Sequence, residues 1–122
     1  MVNQHNILVV DDEEALRTVL SGELAGEGYK VETASDGDEA IDIVKKNKFD
    51  LILLDIKMPR VDGFEVLKFV KQNYPHIKII MLTGFADLKN AIESKKLGAE
   101  DFISKPYDLV DLLTTIERVL SE

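Results

Sequence analysis

Five short apolar runs recur along the chain, and the stretches between them carry apolar residues at helical spacing. This alternation limits the fold more than any single motif does. Ile7-Leu8-Val9-Val10, residues 30–34, residues 50–54, residues 77–82 and residues 100–104 read as strands. Helices are expected over 13–27, faced by Leu16, Val19, Leu20 and Leu24, and after a turn at Ser35-Asp36-Gly37, faced by Ala40, Ile41, Ile43 and Val44. Three more are expected over 62–73 (Phe64, Val66, Leu67, Val70), 87–97 and 108–121 (Leu109, Leu112, Leu113, Ile116, Leu120). Either Asp36 or Ser35 can cap the second helix. Gly28 and Gly98 stop the first and fourth. Apolar runs as unbroken as Leu51-Ile52-Leu53-Leu54 have no polar face to give to water, so their sheet is covered on both sides. Strands alternating with helices and joined by right-handed crossovers give a doubly wound α/β fold: five parallel strands with five flanking helices.

Residues 1–122 suit one domain. No apolar run approaches the length of a membrane span. The first six residues lack the basic and apolar regions of a signal peptide, which points to the cytoplasm. The absence of cysteine excludes disulfides, thiolate catalysis and cysteine zinc sites. The formal net charge of −8 disfavours nucleic acid and anionic membranes as direct partners, and it suits a cation site and basic protein partners.

In open sheets of this kind, ligands bind beyond the carboxyl ends of the strands. The first strand ends in Asp11-Asp12, the third in Asp55, the fourth in Thr83 and the fifth in Lys105. Each residue has an ordinary explanation. Asp12 can cap a helix beside Glu13 and Glu14, Thr83 can bond to backbone, and Lys105 can be a solvated lysine. Their arrival at one edge is what carries weight. Three crowded carboxylates resist ionisation unless a cation joins them, and a cation beside a carboxylate suits phosphoryl transfer to Asp55. Mg²⁺ prefers such oxygen ligands. His5, near the N-terminus, and His76, after Pro75, stand apart and are poor candidates for carrying phosphate.

Five segments, in this order and spacing, resemble the receiver domain of bacterial two-component response regulators. They are Val9-Val10-Asp11-Asp12-Glu13, Leu54-Asp55-Ile56-Lys57-Met58-Pro59 with Asp62-Gly63, Thr83-Gly84, Gly98-Ala99 and Lys105-Pro106. The resemblance covers nearly the whole chain. It implies a flavodoxin-like sheet with strand order 2-1-3-4-5. It implies that Asp55 takes a phosphoryl group from a sensor histidine kinase or phosphotransfer protein, aided by Lys105 and Thr83. Mg²⁺, or Mn²⁺ in its place, would be held by Asp12, Asp55 and the backbone carbonyl of Lys57, with Asp11 acting through water. A cis peptide is implied before Pro106. Thr83 and Phe102 would form the switch that alters the face of the fourth helix, fifth strand and fifth helix. Lys57 and Phe85 would flank the path of the attacking water and slow dephosphorylation. A downstream effector domain or protein would read the altered face, and a phosphorylation-dependent homodimer is compatible with it.

Two competing readings differ in chemistry. A Mg²⁺-dependent phosphohydrolase with a nucleophilic aspartate would want an acid two residues after Asp55, where Lys57 stands. A constitutive interaction domain would not need the full set Asp11, Asp12, Asp55, Thr83 and Lys105. The expected activity is thus a switch that catalyses only its own phosphorylation and slow dephosphorylation.

Overall fold

The computed structural model describes residues 5–84 and 88–122. Its elements alternate without exception: β1 (Asn6–Val10), α1 (Glu14–Gly26), β2 (Lys30–Ala34), α2 (Gly37–Lys46), β3 (Leu51–Leu54), α3 (Gly63–Asn73), β4 (Lys78–Thr83), α4 (Leu88–Lys96), β5 (Asp101–Ser104) and α5 (Leu109–Ser121). All four strand pairings are parallel, in the order β2-β1-β3-β4-β5. This is the flavodoxin-like order that the family resemblance implies. No helix among the described residues is long and apolar enough to cross a membrane.

Strand side chains alternate between the two faces of a sheet, and the core accordingly divides in two. Leu8, Val10, Ile52, Leu54, Ile79 and Met81 pack with Ala40 and Val44 of α2 and with Val66, Leu67 and Val70 of α3. Ile7, Val9, Leu51, Leu53, Ile80 and Leu82 pack with Leu20 and Leu24 of α1 and with Leu112, Ile116 and Val119 of α5. β1, β3 and β4 lie between these layers, which accounts for their unbroken apolar runs. β2 and β5 are the edges, and most of their residues are partly or fully exposed.

Asp36, Asp62 and Asp108 start α2, α3 and α5 by accepting backbone N–H bonds from the first turn. Asp36, not Ser35, is the cap of α2. Glu39 also reaches back to accept from the N–H of Ser35, the residue before the cap, at 2.6 Å. α1 lacks a side-chain cap at Glu13 and ends just before Gly28, whose φ of 95° suits glycine.

Two helix faces differ from the expected phase. Val19 is 53 % exposed, because the buried stripe of α1 runs through Leu20 and Leu24 and leaves Val19 on its flank. In α5 the stripe takes in Val119, while Leu113 and Leu120 pack only partly. Thr83 closes β4, one residue beyond the expected 77–82 run. Residue 87, expected at the start of the fourth helix, lies outside the described residues.

Gly63 is required by a close approach. A Cβ there would stand 2.2 Å from the carbonyl oxygen of Asp55 and 2.7 Å from Cα of Ile56. Its N–H instead donates to the Ile56 carbonyl at 2.6 Å. This contact brings the start of α3 under the residue that follows β3. Gly63→Ala should therefore destabilise the protein by about 1–3 kcal/mol in denaturant unfolding. Gly22→Ala, within α1 and with open space around it, should stabilise it by about 0.5–1 kcal/mol.

Candidate functional site

Strand register assembles the site. Val10 pairs with Leu54, so the next residues, Asp11 and Asp55, emerge side by side at the carboxyl edge. The Asp55 N–H donates to the Val10 carbonyl at 3.0 Å, and the Asp11 N–H donates to Ala34 at 3.1 Å. Thr83 pairs with Ser104, and the Lys105 N–H donates to the Thr83 carbonyl at 2.8 Å. Carboxylate oxygens of Asp11, Asp12 and Asp55 all lie within 4.8 Å of one another. Asp11 is 2 % exposed and Asp55 7 % exposed, whereas Asp12 faces solvent.

Lys105 neutralises the buried part of this cluster. Its Nζ stands 2.5 Å from Asp11 Oδ2, 3.5 Å from Asp55 Oδ2 and 3.7 Å from Glu13 Oε1. Burial alone would lower the pKa of this ammonium. The hydrogen bond to Asp11 and the charges of Asp55 and Asp11 outweigh burial and raise it, so Lys105 is held charged. Burial pushes the Asp55 carboxyl above its ordinary range, and the charge of Asp11 adds to this. The Thr83 hydroxyl bond, Lys105 and the Ile56 N–H act in the opposite direction without cancelling the rise. Burial similarly raises the Tyr107 hydroxyl, with help from Glu23.

Asp12 is not the cap of α1. Glu13 occupies that position, and the Glu13 N–H is taken at 2.9 Å by Asp11 Oδ1. Both Asp11 oxygens are thus engaged, one by Lys105 and one by the backbone. Asp12 makes no side-chain hydrogen bond among the described residues. A recess opens here, lined by Asp12, Glu13, Asp55, Lys57, Gly84 and Lys105. Three carboxylates with no thiolate or imidazole make a donor set for a hard cation.

Phe102 pairs with Met81, two residues before Thr83, so Phe102 and Thr83 share one face of the sheet. Phe102 is partly buried against the core on that face. The Lys105–Pro106 peptide bond is cis. Lys57 is exposed at the rim, and Phe85 lies outside the described residues. His5 and His76 precede β1 and β4, at the opposite edge of the sheet.

Two arginines stand near the site without any signal in the local sequence. Arg17 Nη1 donates to the Asp11 carbonyl at 2.6 Å. Arg60, in the loop after β3, has a φ of 65° and pairs with Asp36 at 2.8 Å and Asp38 at 3.3 Å. It ties the loop that follows Asp55 to the start of α2. Arg60 joins separate loops, and Arg17 reaches back from α1 to the turn before it, so neither contact shows in the apolar periodicity.

A doubly wound sheet with acids, a hydroxyl and a lysine at its carboxyl edge defines a phosphate-handling module of the receiver class. The family described as "Response regulator receiver domain" matches residues 7–117, and the chain belongs to that family. Sporulation initiation phosphotransferase F of Bacillus subtilis (strain 168) is 38 % identical over 120 residues, covering 98 % of this chain and 96 % of that protein. Transcriptional regulatory protein ZraR of Salmonella typhimurium is 40 % identical over 116 residues, covering 95 % of this chain but only 26 % of the regulator's length. A CheY-like receiver domain protein from Methanospirillum hungatei superposes with a TM-score of 0.94 at 37 % identity, covering 98 % of this chain and 95 % of that one. The chain is therefore a receiver domain, the phosphorylation-dependent switch of response regulators.

The raised Asp55 carboxyl sets a pH dependence. A carboxyl with a raised pKa favours folding below its unfolded value, 3.8, and that contribution is lost as pH rises through the folded value. As pH rises above 3.8 in metal-free buffer, the cost of ionising a buried Asp55 grows. Asp55→Asn should then raise the melting temperature by several degrees at pH 7, and the gain should vanish as pH falls below 3.8. Calorimetric scans across pH check this.

Proposed function

We propose that Asp55 is the phosphoacceptor, and that the phosphoryl group comes from the phosphohistidine of a sensor histidine kinase or phosphotransfer protein. The observation that carries this is the convergence of Lys105 and Thr83 on the Asp55 carboxylate, beside the acidic pair. An Asp55 oxygen attacks phosphorus, an O–P bond forms, and the P–N bond to the donor imidazole breaks. Lys105 exchanges its Asp11 contact for a phosphoryl oxygen, supplying fixed positive charge where negative charge gathers. Thr83 redirects its hydroxyl from the carboxylate to a second phosphoryl oxygen.

Asp12, Asp55 and the Lys57 backbone carbonyl would hold Mg²⁺, with Asp11 acting through water. Mn²⁺ suits the same oxygen donors. The engagement of both Asp11 oxygens supports assigning Asp11 the indirect role. When bound, the ion supplies positive charge to the transferring phosphoryl oxygens.

Movement of Thr83 opens space toward which Phe102 turns, and this alters the surface of α4, β5 and α5. An effector domain or a separate protein reads that surface, and a phosphorylation-dependent homodimer is a compatible form of output. Direct contact with nucleic acid or membrane forms no part of the proposal. Residues 1–122 act as one receiver domain in the cytoplasm. Lys57 and Phe85 shield the acyl phosphate from water, so the modified form persists and the domain turns over no external substrate.

Incubation with Mg²⁺ and a small phosphodonor should give one stoichiometric, hydroxylamine-sensitive phosphoryl adduct by intact mass. Asp55→Asn should abolish it, and Lys105→Ala should slow its formation by about 10²-fold or more. Sustained phosphate release without an adduct would instead identify a phosphohydrolase.

A further inference from the structure

The turn from β1 into α1 carries Asp11 and Asp12, yet the helix it enters has no side-chain cap. Three bonds fix this turn instead. The Asp11 N–H donates to Ala34, Asp11 Oδ1 accepts from the Glu13 N–H, and the Asp11 carbonyl accepts from Arg17 Nη1 at 2.6 Å. Arg17 is half-buried and leaves α1 one turn after its start, with its own N–H on the Glu13 carbonyl at 3.1 Å. A cation near the positive end of a helix gains nothing from the dipole, and ordering so long a side chain costs entropy. The contact with Asp11 offsets both.

The bonded carbonyl belongs to the peptide unit that joins Asp11 to Asp12. Fixing that plane limits the directions Asp12 can take from the chain, and nothing else among the described residues holds the Asp12 side chain. We infer that Arg17 is a positioning residue for the acidic pocket: through the Asp11 carbonyl it aims Asp12 at the cation. The inference rests on the Mg²⁺ reading proposed above.

The sign of the effect separates positioning from simple charge. Removing a positive group next to a cation site tightens cation binding if charge alone matters. If Arg17 positions Asp12, Arg17→Met weakens binding despite that gain.

The test is calorimetric titration of Mg²⁺ into the wild type, Arg17→Met and Arg17→Lys. It is paired with hydrogen exchange of the Glu13 amide in metal-free buffer. The expected Kd rises about 10-fold in Arg17→Met, in line with losses of groups that orient metal ligands. Arg17→Lys, which keeps a donor, recovers part of the affinity. The Glu13 amide exchanges faster in metal-free Arg17→Met while the melting temperature stays close to that of the wild type. Equal or tighter Mg²⁺ binding by Arg17→Met overturns the inference. If the wild type binds no Mg²⁺, the cation reading itself falls. Glu13 exchange then still decides the anchoring, and unchanged protection in Arg17→Met overturns it.

Discussion

Two buried carboxylates side by side at the end of a sheet need a positive partner, and Lys105 provides it. Asp11 and Asp55 come from β1 and β3, and their strands would be hard to pair if both acids were ionised and unpartnered. Lys105 arrives from 94 residues beyond Asp11, on the loop after β5. It can reach both acids because the parallel sheet brings the carboxyl end of β5 to the same edge as those of β1 and β3. The order of the strands and the chemistry of the pocket are thus one constraint. The crossover helices bring the ammonium to the acids.

This arrangement is satisfied unevenly, and the proposed function draws on that unevenness. Asp11 has a partner for each oxygen. Asp55 has Thr83 and a longer contact to Lys105, and burial still disfavours its charged form. Asp12 is exposed and uncommitted. A carboxylate that remains costly to ionise gains most from an added cation or a covalent partner, since either changes its charge balance. Around it, Gly63 brings α3 against the Asp55 carbonyl, and Arg60 holds the intervening loop to α2. In the proposed reaction the acceptor sits on fixed supports while Lys105 and Thr83 exchange partners.

The sheet was legible in the sequence because burial on both faces leaves little room for polar residues in β1, β3 and β4. The edge that holds the site was legible for a related reason: each apolar run ends where its strand leaves the core. Helix phase was less so. Val19 has the right character for the core and lies off the stripe, and Val119, not the expected Leu120, is fully buried. One apolar residue shifts the buried arc of a helix by about 100°, and only the opposing sheet decides between neighbours. Local rules also allow Asp12 as a cap, since they favour an acid before Glu13, but Asp11 takes that N–H. Arg60 and the Lys105–Asp11 pair depend on contacts between distant elements, and Arg17 depends on the path of the turn before α1, so apolar periodicity reveals none of them. Receiver motifs supplied residue roles that periodicity alone could not.

The central claim is that Lys105 holds down the cost of a buried, ionised Asp55. Carbon-detected NMR titration of the Asp55 carboxyl in metal-free buffer tests it most directly, comparing the wild type with Lys105→Met. The account predicts a wild-type carboxyl that titrates above 3.8, and one that titrates higher still once the ammonium is gone. An Asp55 that titrates at its ordinary value in the wild type, or that does not move in Lys105→Met, would contradict it.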